Sequence, residues 1–118
     1  MRKIITLVGF LTAPVVCHAQ PQVDLLRPTE LFFQCGAAFA IAGQAYSDAG
    51  NAADAAYFRA KFHRLASLAE VEFAQLGRAK QDAQRYMQKH VDTVVALQSK
   101  EPRLVADKVR TCEARFPK

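Results

Sequence analysis

Between Glu30 and Tyr46 the chain reads ELFFQCGAAFAIAGQAY, with Gln34 and Gln44 the only strongly polar side chains inside the run. On a helical wheel Leu31, Phe32, Cys35, Phe39, Ala42 and Tyr46 share one face. Gly36, Ala40, Gly43 and Ser47 form an adjacent strip of small residues, and Phe33, Ala37 and Ile41 occupy a third side. A helix apolar on most sides is central to a bundle or covered by a partner. The run is shorter than the roughly 20 apolar residues that span a bilayer. The small strip therefore predicts close helix packing in a water-soluble core rather than a membrane dimer face.

Periodicity predicts four helices, at about 30–48, 52–76, 79–99 and 103–115. Thr29 reads as the first N-cap, with Glu30 in the first turn. In SDAGNAAD, Gly50 suits the left-handed C′ position, Asn51 the next N-cap, and Asp54 follows three residues on. Phe58, Phe62, Leu65, Ala69, Phe73 and Leu76 make the seam of helix 2. Ala83, Tyr86, Met87, His90, Val91, Val94 and Leu97 mark helix 3. After Pro102, helix 4 carries Val105, Val109, Cys112 and Phe116. Alternating Val/Ile/Thr runs are lacking, so the fold class is all-α.

The first residues change the compartment. Arg2 and Lys3 precede the apolar stretch Ile4–Val16, and Cys17-His18-Ala19 offers a cleavage site ahead of Gln20. Residues 1–19 therefore read as a signal peptide, 20–28 as a flexible leader and 29–118 as one helical domain. A lipoprotein reading would acylate Cys17, but Val16 is bulky where a small residue is usual. The expected place is periplasmic or secreted, with no integral membrane segment after cleavage. Losing nineteen of 118 residues leaves 99, with fourteen Lys and Arg against eleven Asp and Glu, a net charge of +3. So mild a basic balance in an exported protein argues against nucleic acid as a partner.

Cleavage also leaves two cysteines, Cys35 and Cys112, which an oxidising compartment would pair. That bond tests the helix count. With Cys35 as origin, helix 1 rises about 20 Å and helix 2 descends to about −16 Å. Helix 3 then climbs to about +15 Å, and helix 4 returns Cys112 near zero. One unbroken helix over 52–99 would instead end near −52 Å, of which residues 100–112 recover only about 25 Å. A disulfide needs its Cα atoms within about 7 Å. A break at Gly77 follows, and with it a four-helix up-down bundle whose disulfide joins the first and last helices.

Chemistry is sparse. His63 and His90 lack partners at metal-ligand spacing, and His90 reads as a hydrogen-bonded histidine at the core edge. Met87 and His90 lie one turn apart on one helix and cannot clamp opposite faces of a haem, and there is no CxxCH. Glu70 and Glu72 diverge, and no nucleophile motif surrounds Ser47, Ser67 or Ser99. No catalytic, cofactor or metal residue is assigned, and a non-enzymatic protein is expected. Arg59, Lys61, His63 and Arg64 form a basic segment, a candidate surface for anions or lipid headgroups. Because helix 4 is short, Phe33, Ala37 and Ile41 are expected to stay partly uncovered, as a contact face for a protein partner or a second copy in a homodimer.

Two resemblances add to this. Gly43, Ala45, Tyr46, Gly50, Asn51 and Ala55 stand in the register of a tetratricopeptide-repeat turn, with Phe39 at its bulky aromatic position. The segment 39–58 thus resembles one helix-turn-helix of that family, although the register departs after Ala55 and one motif does not make a solenoid. Cysteines near the start of the first helix and the end of the last make the chain similar to small exported Ala-rich helical proteins of Gram-negative bacteria that have no assigned function. That likeness implies a periplasmic place. The expected function is an interaction module binding a protein or itself; the alternative is a stress chaperone or inhibitor that exposes apolar surface when conditions change.

Overall fold

The computed structural model describes residues 27–117, so the signal segment and residues 20–26 of the leader lie outside the described residues. Four helices follow one another: α1 (Arg27–Asp48), α2 (Ala52–Gln75), α3 (Lys80–Lys100) and α4 (Pro102–Arg115). Neighbours in sequence run antiparallel. Thr29 meets Glu72, and Gly43 meets Ala55 and Arg59, whereas on the parallel pair α1 and α3 Glu30 meets Tyr86.

The turns follow from their residues. After α1, the Gly50 N–H donates to the Ser47 carbonyl at 3.0 Å and the Asn51 N–H to the Tyr46 carbonyl at 2.9 Å. After α2, the Gly77 N–H reaches the Ala74 carbonyl at 3.0 Å and the Arg78 N–H the Phe73 carbonyl at 2.9 Å. Both are Schellman closures with glycine at C′, where φ is +80° at Gly50 and +75° at Gly77. The break at Gly77 thus needs no capping side chain on the next helix. Instead the Arg78 guanidinium lies 4.3 Å from the centre of the Phe73 ring, where a Schellman motif commonly places an apolar contact. Asn51 caps α2 by accepting from the Asp54 N–H at 3.1 Å. A single residue, Glu101, separates α3 from α4, because Pro102 takes the first helical position and excludes a helical predecessor.

One boundary differs from expectation. Thr29 is not a cap but the third residue of α1, buried, with its hydroxyl donating to Glu72 Oε1 at 3.4 Å. Pro28 is accommodated in the first turn, where its missing N–H leaves no bond unmade.

Helix α1 is the axis of the bundle and packs on all three others, while α2 and α4 never bring Cα atoms within 8 Å of each other. Each side of α1 has its own apolar cluster. Phe39, Ala38 and Cys35 meet Phe58 and Leu65 of α2 and Cys112 of α4. Phe33 meets Ala69 and Phe73 of α2 and Ala83 and Met87 of α3. Ala37 meets Val94 of α3 and Val105 of α4. This is why the run Glu30–Tyr46 has no polar side. Cys35 and Cys112 form the expected disulfide, with Cα atoms 5.4 Å apart. The small strip lets α2 and α3 close in. A Cβ on Gly43 would stand 3.4 Å from the Ala55 carbonyl oxygen, and one on Gly36 only 2.7 Å from Met87 Cε.

Candidate functional site

The contact face expected at Phe33, Ala37 and Ile41 does not exist as drawn. Phe33 and Ala37 are completely buried, and only Ile41 is half-exposed. Coverage of α1 was underestimated because α3 and α4 jointly close the side of Ala37, and Phe33 points between α2 and α3.

The basic segment is also divided. Arg59, His63 and Arg64 are exposed, but Lys61 is 6% exposed and faces inward. The α-helical period explains this: Lys61 falls between Phe58 and Leu65, on the seam itself. Its ammonium donates to Glu113 Oε2 at 3.0 Å, to Tyr57 Oη at 3.3 Å and to the Phe116 carbonyl. It also lies 5.0 Å from the ring centres of Phe39 and Tyr57. Tyr57 Oη donates to the same Glu113 oxygen at 2.6 Å. That hydrogen bond, with the bond and charge of Lys61 behind it, holds the Glu113 carboxyl below the usual carboxylate range against the opposing effect of burial. Lys61 joins α2 to α4 across a gap that their backbones leave open.

A second polar cluster joins α1 to α3. Tyr86 Oη donates to Glu30 Oε1 at 3.1 Å, and His90 Nε2 lies 3.1 Å from Glu30 Oε2. Burial, then the Glu30 charge and hydrogen bond, push the Tyr86 phenol up to about 12. Burial lowers the His90 pKa despite the attraction of Glu30, and Lys108 and Lys89 act in the same direction as burial. His90 therefore stands at the core edge, its ring stacked on Phe33 with centroids 5.9 Å apart. A cavity of about 230 Å³ between α2 and α3 shares Phe33 with this cluster but is otherwise lined by residues such as Phe62, Ala66, Met87 and Val91. Glu30, Tyr86 and His90 thus converge on one another instead of on that space.

The gap between α2 and α4 leaves a groove of about 340 Å³ over the C-terminal half of α1. Its apolar floor includes Ile41, Ala42, Phe58, Val105 and Val109, with Arg110 and Glu113 at the α4 side. Gln98 also lines it, and its Oε1 is buried without a hydrogen-bond partner among the described residues. Of the three residues expected at a contact face, Ile41 alone belongs to this groove.

Sequence reasoning passed over Tyr57, Glu113 and Gln98, and took Glu30 only as a first-turn acid. The spacing Tyr57–Lys61, one helical turn with Lys61 on the seam, was the available signal. Glu113 and Gln98 carried none, since their neighbours are distant in sequence. Among the described residues no group of three or more His, Cys, Asp or Glu is placed to hold a metal ion. Among them, too, no helix is long and apolar enough to cross a membrane. No protein-family model matches the chain, and no curated protein or solved structure matches it.

Proposed function

We propose that the protein is a non-enzymatic, exported helical interaction module whose groove between α2 and α4 receives a helix of a protein partner. The observation that carries this reading is the separation of the α2 and α4 backbones, which leaves apolar surface of α1 between them. A groove bounded by two helices and floored by a third suits an amphipathic helix laid along it. The occupant would present apolar side chains to Ile41, Phe58 and Val105, and a hydrogen-bond donor to Gln98 Oε1. An orphaned buried acceptor is costly until a donor reaches it. The signal-like first residues and the disulfide support an oxidising, periplasmic setting.

Ala45 and Ala106 line the groove yet are exposed, so they can be altered without entering the core. A photo-crosslinker at Ala106 should capture one stoichiometric partner from periplasmic extract, and the same group at Leu68, exposed on α2, should not. Ala45→Arg/Ala106→Arg should abolish the capture while the melting temperature stays unchanged. Equal capture from both positions would reject the groove as the binding surface.

A further inference from the structure

Lys108, Thr111 and Arg115 fall three and then four residues apart, so they share one face of α4. Leu31, Gln34 and Cys35 share a face of α1 in the same way. A pocket of about 330 Å³ lies between the two faces, and the Cys35–Cys112 disulfide fixes the separation of its walls. Leu31, Ala114 and the two cysteines give the pocket apolar surface, while Gln34 and Thr111 bring hydrogen-bonding groups. Lys108 and Arg115 bring two positive charges, and no acidic side chain among the described residues lines it. The other spaces differ: the groove has Arg110 beside Glu113, and the cavity between α2 and α3 has Glu70.

Local sequence explains why these two cations stay unpaired. Arg85 and Arg110 each pair with an aspartate three residues earlier on the same helix. No acid stands three or four residues from Lys108 or Arg115, and no carboxylate among the described residues pairs with either. Glu30, next to Leu31, is engaged by Tyr86 and His90. The end of α4 does not occupy Arg115, because the Phe116 carbonyl already accepts from Lys61.

We propose that this pocket between α1 and α4 binds a small amphiphilic carboxylate, with the carboxylate held by Lys108 and Arg115 and a short apolar tail laid on Leu31 and Ala114. A guanidinium and an ammonium supply donors matched to carboxylate oxygens, and Thr111 and Gln34 can complete their hydrogen bonds. An inorganic anion would leave the apolar wall uncovered. The volume stands at the small end of ligand sites, which run from about 300 Å³ upward, so the tail is short. The pocket shares no residue with the groove, and the two sites are independent.

Hexanoate is a probe of this kind, and an NMR titration of the disulfide-bonded protein tests the site. Saturable shifts should appear at the Gln34 side-chain amide and at the Thr111 and Arg115 backbone amides, with a Kd of about 1 mM. Hexan-1-ol and hexylamine share the tail and acetate shares the charge, and each should bind about tenfold more weakly. Lys108→Gln and Arg115→Gln should each weaken hexanoate several-fold at an unchanged melting temperature, whereas Arg59→Gln, exposed on α2, should not. The proposal is overturned if hexanoate gives no saturable shift at these amides, if hexan-1-ol shifts them as strongly, or if the Lys108→Gln/Arg115→Gln variant binds as the parent does.

Discussion

Lys61 of α2 and Glu113 of α4 meet at 3.0 Å across a seam where no pair of Cα atoms comes within 8 Å. The ammonium is almost fully buried and reaches Tyr57 and the Phe116 carbonyl as well, so Lys61, with Tyr57 beside it on Glu113, closes this part of the α2–α4 side. Lys61→Ala would leave the Phe116 carbonyl without this donor and the Glu113 carboxylate with the Tyr57 hydroxyl but no cation. We expect it to destabilise by about 2–4 kcal/mol, since breaking one partner of a buried pair costs more than the pair contributes. Arg59→Ala, two residues away and exposed, should change stability by less than about 0.5 kcal/mol. Urea unfolding of the two variants measures the contrast.

Glu113 gives this seam an acid limit of its own. Its carboxyl titrates lower in the folded chain than in the unfolded one, chiefly through the Tyr57 hydroxyl and then through Lys61. A depressed native pKa adds stability that is present above the unfolded value and lost as pH falls through the native one. Glu113→Gln should therefore flatten the stability–pH curve below about pH 4.5 and leave the histidine range alone. Thermal melts across both ranges separate the two effects.

Phe39 and Phe33 are both completely buried, in different clusters around α1. Each Phe→Ala substitution should cost about 3–5 kcal/mol. Phe33→Glu combined with Ile41→Glu should unfold the protein, because Phe33 is interior; a folded double mutant that merely changed sedimentation would contradict the burial described here.

Gly77→Ala places a Cβ where φ is +75° and nothing lies within 4 Å, so its penalty is conformational alone. A loss of about 1–2 kcal/mol is expected from the left-handed backbone. Gly50→Ala should match it, because the two closures are built alike. Guanidinium denaturation of the pair decides whether both turns depend on glycine.

The disulfide closes a separation of 77 residues, and its removal should cost roughly 4–5 kcal/mol in the chain-entropy view. Intact mass of exported, non-reduced protein should match residues 20–118 less two hydrogens, with no lipid attached. Two alkylatable thiols in that material would sink the pairing.

The sequence by itself determined the helices, their breaks and the pairing of their ends. Gly50, Gly77 and Pro102 act through their own backbone geometry, and the period of Phe58, Leu65, Ala69 and Phe73 acts through the wheel of one helix, so both are local and legible. Cys35 and Cys112 were legible for another reason: they are the two cysteines beyond the signal-like segment, and their pairing, through helix length, selects the path broken at Gly77 over one unbroken helix. Tertiary structure decided which sides of α1 are covered and what each polar side chain meets. A wheel gives the angle of Phe33 or Lys61 about its own axis, but not where the other three axes stand. Phe33 and Ala37 were thus assigned to the surface, although two neighbouring helices enclose each of them. Glu30 with His90, Lys61 with Glu113 and the open groove beside Gln98 all arise from the same cause. Each depends on groups about 50 or more residues apart whose meeting is fixed by how helices pack, and packing is a property of the whole bundle.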